Sequence, residues 1–380
     1  MIAGILCIAI NLRPALAGVG PLISDIREAT GLSNSMLGLL TTLPLMAFGA
    51  VSTLTPLFTR RFGIGGTLLG AMLLLAGGIG IRSLGGIFSL YFGTLLLGIA
   101  IALGNVLLPS LTKRNFSSNS GLITSMYSAV MAIGASLAAG ISVPLAHGLG
   151  LGWRGSLGVW AIIALVAVFV WMPQLPRLKK SELKRSYLKA MKALGKSRMA
   201  WQVAIFMGLQ SLTFYVILAW LPEILQGRGF DANFSGWMLS LSQATGIFGS
   251  LAVPILAGRR RDQRSIVLFL VVIEVIGLLG LLFPEVGMVW LWVSLIGFVL
   301  GGTFGLALLF IVLRSHDSDS ATELSGMAQS IGYVIAATGP IIFGSIFDVT
   351  GSWKYSLILL LGIVLIKLWM GLGAAKPGKV

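Results

Sequence analysis

The sequence is poor in the residues from which soluble catalytic and metal-binding sites are built. Its single cysteine, Cys7, excludes an intrachain disulfide and any site made of several cysteines. The two histidines, His147 and His316, lie far apart and suggest no histidine metal cluster. The sequence also lacks a P-loop glycine–lysine pattern and paired carboxylates within an apolar segment. A membrane-embedded enzyme is therefore disfavoured, and we expect neither a metal nor an organic cofactor.

Charged residues are also scarce. They make up 10% of the 380 residues, whereas soluble domains average about 25%. Hydrophobic residues make up 56%, and the mean hydropathy is +0.96. One or two water-soluble domains of this length could not bury so much apolar surface. The composition indicates a protein that crosses the lipid bilayer several times.

Apolar runs long enough to cross a bilayer as helices, about 20 residues each, occur twelve times. Their length favours helices over barrel strands, which would alternate in segments of about ten residues. The first run has no basic leader and contains Arg13, so we interpret it as a span rather than a signal peptide. The chain begins almost within this run, which leaves room for a short native tail before it. The predicted spans are 2–24, 35–57, 64–82, 87–110, 120–146, 153–173, 200–223, 235–257, 265–284, 288–313, 324–347 and 353–374.

Lysine and arginine predict the orientation of these spans. With the N-terminus inside, 20 of the 27 basic residues fall in cytoplasmic loops and the C-terminal tail. Nine of them lie in the stretch 174–199. Both termini are therefore expected in the cytoplasm. The net charge of +15 is explained mainly by topology, so a nucleic-acid partner is disfavoured.

The two halves of the sequence repeat. Trp-Arg-Gly-Ser-Leu at 153–157 opens the sixth span, and Trp-Lys-Tyr-Ser-Leu at 353–357 opens the twelfth, 200 positions later. Two further pairs recur in matching spans at nearly the same offset, Pro56 with Pro254 at 198 positions and Gly98 with Gly297 at 199 positions. Six spans per half is an even number, so both halves enter the membrane in the same sense.

Two parallel six-helix repeats joined by a charged linker resemble the major facilitator superfamily along the whole chain. The resemblance implies an all-α integral membrane protein of twelve transmembrane helices, with bundles at 1–173 and 200–380 and a basic cytoplasmic linker at 174–199. It further implies alternating access around a site at mid-membrane, lined mainly by the first, fourth, seventh and tenth spans. Carriers of this architecture usually function as monomers.

Arg13 is the main candidate for binding a solute. It lies about eleven residues into the first span, where an arginine costs roughly 2.5–3.5 kcal/mol on insertion scales, so we expect it to face a cavity or a partner. Its planar fork of donors suits a small anion. The alternative is a structural ion pair with Glu274 or Asp25. Asn11 lies about 200° around an ideal helix from Arg13, and Pro14 could unwind the helix and bring the two together.

Other polar residues lie at mid-depth in spans that line such a cavity. Each could instead bond neighbouring helices. Together they predict a polar and aromatic cavity with one fixed positive charge. These candidates are Thr42, Tyr127, Ser128, Gln210, Tyr215, Gln243, Gln329 and Tyr333. Glu274, in the ninth span, is a candidate for carrying a coupling proton, with neutral packing as the alternative.

Several short motifs resemble those of the cyanate permease and 2-nitroimidazole transporter family. They are Asn-Leu-Arg-Pro at 11–14, Val-Gly-Pro-Leu at 19–22, Leu-Thr-Thr-Leu-Pro at 40–44, Leu-Pro-Ser at 108–110 with Lys113 and Arg114, and Arg82 after the third span. The resemblance implies transport of small anions or small polar heterocycles across the bacterial inner membrane, with Arg13 and Asn11 touching the solute.

The predicted cytoplasmic gate departs from the wider superfamily. Arg60 stands where an aspartate is expected after the second span, beside Arg61. Asn105, Lys113 and Arg114 are further gate candidates, on or after the fourth span.

We therefore predict a secondary transporter for a small anionic or polar solute. The alternative is an efflux permease for small drugs, in which Arg13 is structural. A channel is disfavoured by the two-half repeat.

Overall fold

The computed structural model describes residues 1–32, 34–177, 187–230, 232–283, 285 and 287–380. These residues form fifteen α-helices and no strand. They are α1 (Ile2–Asn11), α2 (Pro14–Ala17), α3 (Ile23–Thr30), α4 (Asn34–Ser52), α5 (Thr55–Ser83), α6 (Ile87–Asn115), α7 (Ser120–Val143), α8 (Gly152–Trp171), α9 (Tyr187–Lys196), α10 (Arg198–Gln226), α11 (Ala232–Gly258), α12 (Arg264–Leu282), α13 (Val289–Arg314), α14 (Ser318–Thr350) and α15 (Trp353–Ala374).

The helices confirm an all-α membrane protein. Within the described residues, eleven helical segments are long and apolar enough to cross a membrane, and the second predicted span contributes a shorter apolar stretch, Thr42–Ser52. The second span ends at Ser52 rather than at the predicted residue 57. The reason is a turn at 53–54, after which Pro56 starts α5 in its first turn. Proline is favoured there because it lacks the N–H that a first turn leaves unbonded.

The loop predicted at 58–63 is helical instead. It forms the first part of α5, and Gly63, at φ 72° and ψ 168°, separates it from the membrane-crossing part. A residue with a Cβ rarely adopts this conformation. In the basic linker predicted at 174–199, residues 178–186 lie outside the described residues, and α9 forms after them.

The described chain divides into two compact units. The first comprises residues 1–115, 130–191 and 317–326, and the second comprises 116–129, 192–316 and 327–380. In the first unit, α5 packs on α6 and α8, and the indole N–H of Trp171 donates to the Gly65 carbonyl at 2.9 Å. One end of this unit has an apolar core around Leu22, Ile26 and Trp153.

In the second unit the closest packing joins α11 and α13. A Cβ on Gly246 would lie 3.2 Å from the Gly297 carbonyl oxygen, so the two backbones are nearly in contact. Small residues at such crossings are typical of membrane helices, whose association depends on close packing. α15 packs on α10 and α12. The ring of Trp353 lies 4.3 Å from that of Phe347 and 5.1 Å from that of Trp220.

Candidate functional site

The first span is broken at the predicted binding residue. α1 ends at Asn11, and the one-turn helix α2 begins at Pro14, with Arg13 as its N-cap at φ −119° and ψ −30°. Pro14 has no N–H, so it cannot continue the hydrogen bonding of α1. The Arg13 carbonyl accepts the N–H groups of Leu16 at 3.1 Å and Ala17 at 3.0 Å. Pro14 therefore interrupts the helix, the unwinding that the sequence left open as a possibility.

Glycines on two neighbouring helices make room for this break. A Cβ on Gly134 of α7 would lie 2.6 Å from the Ile10 carbonyl oxygen, the acceptor that Pro14 cannot use. A Cβ on Gly104 of α6 would lie 2.6 Å from the Leu12 side chain. A side chain at 134 would press on the backbone of the first span, so the close packing there needs a glycine, whereas at 104 the flexible end of Leu12 could move aside.

Asn11 and Arg13 have different surroundings. Asn11 is only 3% exposed, and its Nδ2 donates to the carbonyls of Cys7 at 2.7 Å and Ile163 at 3.4 Å. These bonds tie α1 to α8. The side chain of Arg13 is partly exposed, which is the arrangement that a solute-binding cation in a membrane span requires.

The two carboxylates that the sequence offers as partners for Arg13 have other partners. Glu274 of α12 accepts a hydrogen bond from Lys367 of α15, with Oε1 and Nζ 2.5 Å apart and both side chains fully buried. Asp25 lies 2.9 Å from His147, measured from Oδ2 to Nε2. The sequence shows both Glu274 and Lys367 within spans but does not pair them, because their spacing of 93 positions follows no local pattern.

The remaining solute candidates divide by exposure. Thr42 of α4 is exposed, and Tyr215 and Gln243 are partly exposed. Five are buried, namely Tyr127, Ser128, Gln210, Gln329 and Tyr333.

Two of the buried candidates bond within the second unit. Gln210 donates to the Ser211 hydroxyl at 2.6 Å, which occupies its amide within α10. Ser128 donates to the Ser250 carbonyl at 3.3 Å and so links α7 to α11. The Ser128 bond corresponds to the helix-bonding alternative and the Gln210 bond does not, while the role of each residue toward a solute stays a prediction.

The gate candidates lie at two places in the first unit. Arg60 is partly buried and Arg61 is exposed, both before Gly63, and the Arg61 guanidinium lies 5.4 Å from the Phe62 ring centre. Lys113 and Arg114 lie in the last turn of α6, and Asn105 is buried two turns earlier.

Beside these candidates the structure shows hydroxyl bonds that the sequence analysis missed. The Ser110 hydroxyl of α6 donates to the Ser318 carbonyl at 2.5 Å and accepts from the Thr322 hydroxyl at 2.6 Å. In the second unit, the Ser125 hydroxyl donates to the Leu251 carbonyl at 2.5 Å. Ser110 belongs to the Leu-Pro-Ser motif at 108–110, and this motif was the sequence feature that could have drawn attention to its hydrogen bonds.

Two arginines assigned to loops are buried instead. Arg82, expected in the loop after the third span, is 1% exposed, and its Nη1 donates to the Ala15 carbonyl at 2.6 Å. Arg314, expected in a cytoplasmic loop, is 4% exposed and donates to the carbonyls of Ala374 at 2.8 Å and Ala375 at 3.0 Å. Charge counting placed both at the ends of spans but could not show that backbone carbonyls bind them.

Comparisons with known proteins agree with this architecture. The sequence matches the Major Facilitator Superfamily over residues 5–337. It is 40% identical to the 2-nitroimidazole transporter of Escherichia coli, covering 100% of this chain and 95% of that protein. It is 29% identical to the cyanate transport protein CynX of the same organism, covering 97% and 96%.

Among solved structures, the fold is similar to that of the transporter FucP in its outward conformation. The TM-score is 0.80 at 13% sequence identity, and the match covers 99% of this chain and 98% of that one. The broken apolar span, the two repeated halves and these matches agree: the chain belongs to the major facilitator superfamily of membrane transporters.

Proposed function

We propose that this transporter moves a small anionic or polar solute across the bacterial inner membrane by alternating access, with Arg13 binding the solute. The observation that carries the proposal is the partly exposed Arg13 side chain at the break between α1 and α2. Glu274 and Asp25 bond other residues, which supports a role for Arg13 toward a solute rather than in either predicted ion pair.

The chemistry of Arg13 fits the solutes named for the two relatives. Cyanate is a small anion, and a 2-nitroimidazole presents two nitro oxygens in one plane. A guanidinium offers parallel N–H donors and a delocalised charge, which suit acceptors of both kinds. We therefore assign a solute of this size, either a cyanate-like anion or a small nitro-heterocycle, and not a bulky drug. The efflux alternative, with a structural Arg13, is not favoured by these relatives.

The other candidates have secondary places in the proposal. Thr42, Tyr215, Gln243, Gln329 and Tyr333 supply further contacts to the solute, and Asn11 fixes α1 beside Arg13. Tyr127, Ser128 and Gln210 complete the predicted cavity lining. Glu274 is assigned to packing with Lys367 rather than to proton coupling, because its carboxylate accepts a hydrogen bond from the Lys367 ammonium and both side chains are fully buried.

The proposal also includes the predicted organisation. Two six-helix bundles at 1–173 and 200–380 move about a linker at 174–199, both termini lie in the cytoplasm, and one chain is the functional unit. The gate candidates Arg60, Arg61, Asn105, Lys113 and Arg114 act on the cytoplasmic side.

Uptake by purified protein in proteoliposomes tests the role of Arg13. Labelled cyanate and labelled 2-nitroimidazole are the probes, and the variants are Arg13→Ala and Arg13→Lys. Arg27→Ala, which removes an exposed arginine from α3, is the matched control. Losing a bonded charge costs about 2–5 kcal/mol, and tenfold corresponds to about 1.4 kcal/mol. We expect uptake by Arg13→Ala to fall about 100-fold and that by Arg27→Ala to stay within twofold.

The outcomes separate the alternatives. Retained uptake by a well-folded Arg13→Ala would show that Arg13 does not bind the solute. Saturable uptake that Arg13→Lys restores only in part would support the bidentate fork over a simple point charge. Absence of uptake of either probe, together with export of a larger apolar drug, would favour the efflux alternative.

A further inference from the structure

We propose that Arg82 is the positioning residue for Arg13: it holds the one-turn helix α2 through the Ala15 carbonyl, which the Val19 N–H does not bond because α2 ends after one turn. The role of Arg13 in transport rests on the proposed function above. The contact between Arg82 and α2 is a separate observation, and it can be tested without a solute.

The hydrogen bonding of α2 shows why a donor is needed there. In a continuous helix the Val19 N–H would donate to the Ala15 carbonyl, four residues earlier. Here it donates to the Leu16 carbonyl at 3.3 Å instead. Broken backbone inside a membrane is tolerated only where other groups bond the freed carbonyls and N–H groups. The Arg82 guanidinium does this for Ala15 at 2.6 Å.

The position of Arg82 is itself fixed by close packing of α5 on α6. A Cβ on Gly78 would lie 2.8 Å from the Leu97 backbone nitrogen, and a Cβ on Gly93 would collide with the backbone of Arg82. The two helix backbones therefore nearly touch at the level of the arginine. Its side chain extends from this fixed point to α2.

The free-energy cost of burying the Arg82 guanidinium supports a structural role for its hydrogen bond to the Ala15 carbonyl. The side chain is 1% exposed, and its Nε and Nη2 have no hydrogen-bond partner among the described residues. No carboxylate in the described part of the chain forms an ion pair with it. A buried cation with one carbonyl partner is expensive, and an apolar residue would be the cheaper choice if α2 did not need the donor.

The internal repeat supplies independent support. At the offset of 198–200 positions, Arg13 corresponds to residues 211–213 and Arg82 to 280–282, and neither stretch contains an arginine. In that half α10 runs unbroken from Arg198 to Gln226. The half that has the break has both arginines, and the half without the break has neither.

The test uses the accessibility of α2. Because Cys7 is the only cysteine, the double variant Cys7→Ser with Leu16→Cys has a single cysteine, at a partly buried position of α2. Labelling by a membrane-permeant maleimide is measured in this background and with Arg82→Met, Arg82→Lys or Arg27→Met added. We expect Arg82→Met to raise the labelling rate at least fivefold. Arg82→Lys, which keeps a donor able to reach the carbonyl, should stay within twofold, as should the control Arg27→Met.

Transport then links α2 to Arg13. With labelled cyanate in proteoliposomes, we expect Arg82→Met to raise KM about tenfold and leave Vmax within threefold, since the solute arginine is displaced but the moving parts are intact. If Arg82→Met is not recovered as a monodisperse protein, Arg82→Gln replaces it, because its amide is two atoms too short for the carbonyl.

Unchanged labelling of Leu16→Cys in Arg82→Met would overturn the inference, whatever the uptake. Faster labelling with an unchanged KM for cyanate would show that Arg82 holds α2 but does not position Arg13, and this too would overturn the inference. Faster labelling, together with uptake that is insensitive to Arg13→Ala, would leave the Arg82 contact in place and refute the proposed function instead.

Discussion

The two six-helix halves of the chain hold charged side chains within their helices in different ways. In the first half, Arg13 is partly exposed at a break, and Arg82 bonds a backbone carbonyl. In the second half, Arg314 likewise bonds backbone carbonyls, but Lys367 and Glu274 form a fully buried ion pair, 2.5 Å apart, that the first half lacks among the described residues. Partial exposure, as at Arg13, suits a cation for which we propose solute binding. A charge that only holds helices together is best neutralised, because desolvation penalises it otherwise.

The corresponding first spans of the two halves show the same contrast. In α10 the polar side chains bond locally: Gln210 bonds Ser211, and the Thr213 hydroxyl donates to the Leu209 carbonyl at 2.9 Å. These bonds leave the 29-residue helix continuous. In the first span, Pro14 interrupts the helix, and the distant Arg82 bonds the Ala15 carbonyl of the one-turn helix that follows. The equivalent helices therefore differ, and the broken one carries Arg13, for which we propose solute binding.

The largest effect is expected from breaking the buried ion pair. Lys367→Met leaves Glu274 charged or forces it to take up a proton, and removing one partner of a buried pair typically costs about 3–5 kcal/mol. The double variant Lys367→Met with Glu274→Met removes both charges and should recover most of that loss. Thermal unfolding in detergent measures the three stabilities. A double variant as unstable as the single one would contradict the neutralised-pair interpretation, and cyanate KM should be unchanged wherever the protein folds.

A smaller effect is expected from Arg314, which bonds carbonyls at the end of α15 instead of within a broken span. A hydrogen bond to a charged group contributes about 1.5–3 kcal/mol, so Arg314→Met should destabilise by about 2 kcal/mol. Unlike Arg82→Met, it should leave the KM for cyanate within twofold. An increase in KM as large as that expected for Arg82→Met would mean that the two arginines do not differ in role.

Packing around the break sharpens the contrast further. Gly134→Ala places a Cβ against the Ile10 carbonyl. Overpacking costs about 1–3 kcal/mol, and alanine returns about 1 kcal/mol of helix propensity, so a net loss near 1 kcal/mol is expected. Gly140→Ala, on the same helix with nothing within 4 Å of its Cβ, is the control and should be neutral or slightly stabilising. Equal unfolding temperatures for the two variants would show that the first span can shift without cost.

Much of the fold was predictable because membrane insertion leaves few alternatives to long apolar helices. The last predicted span, 353–374, coincides with α15, and Pro14 indicated the break at Arg13. The partners of the buried charges were not predictable. Arg82 reaches a carbonyl 67 positions away, and Lys367 reaches Glu274 across 93. Both depend on which helix faces pack together, and no local spacing encodes this. The second span was predicted too long, to residue 57, because the sequence stays apolar through the turn that follows Ser52.

The smallest effect is expected from an exposed ion pair at the start of α12, the helix that also carries Glu274. Asp262 and Arg264 lie in the turn before α12, with Oδ2 and Nη2 2.5 Å apart. The hydrogen bonds that the Arg264 side chain and backbone N–H donate to the carboxylate lower the pKa of Asp262 to about 2. An exposed pair is screened by solvent and contributes little. Replacing Asp262 should therefore shift the unfolding temperature far less than replacing Lys367.

The contribution of Asp262 to the stability of the folded chain should depend on pH. The pKa of Asp262 is lower in the folded chain than the value of about 3.9 for a free aspartate, so its contribution to stability is present above about pH 4 and is lost as the pH falls through about 2. The difference in unfolding temperature between the parent and Asp262→Asn should be constant from pH 7 to pH 5, shrink below about pH 4 and approach zero only below about pH 2. A difference that grew on acidification would mean that the charged carboxylate of Asp262 destabilises the folded chain. The contrast between a weakly stabilising exposed pair and the buried pair of Glu274 and Lys367 would then be wrong.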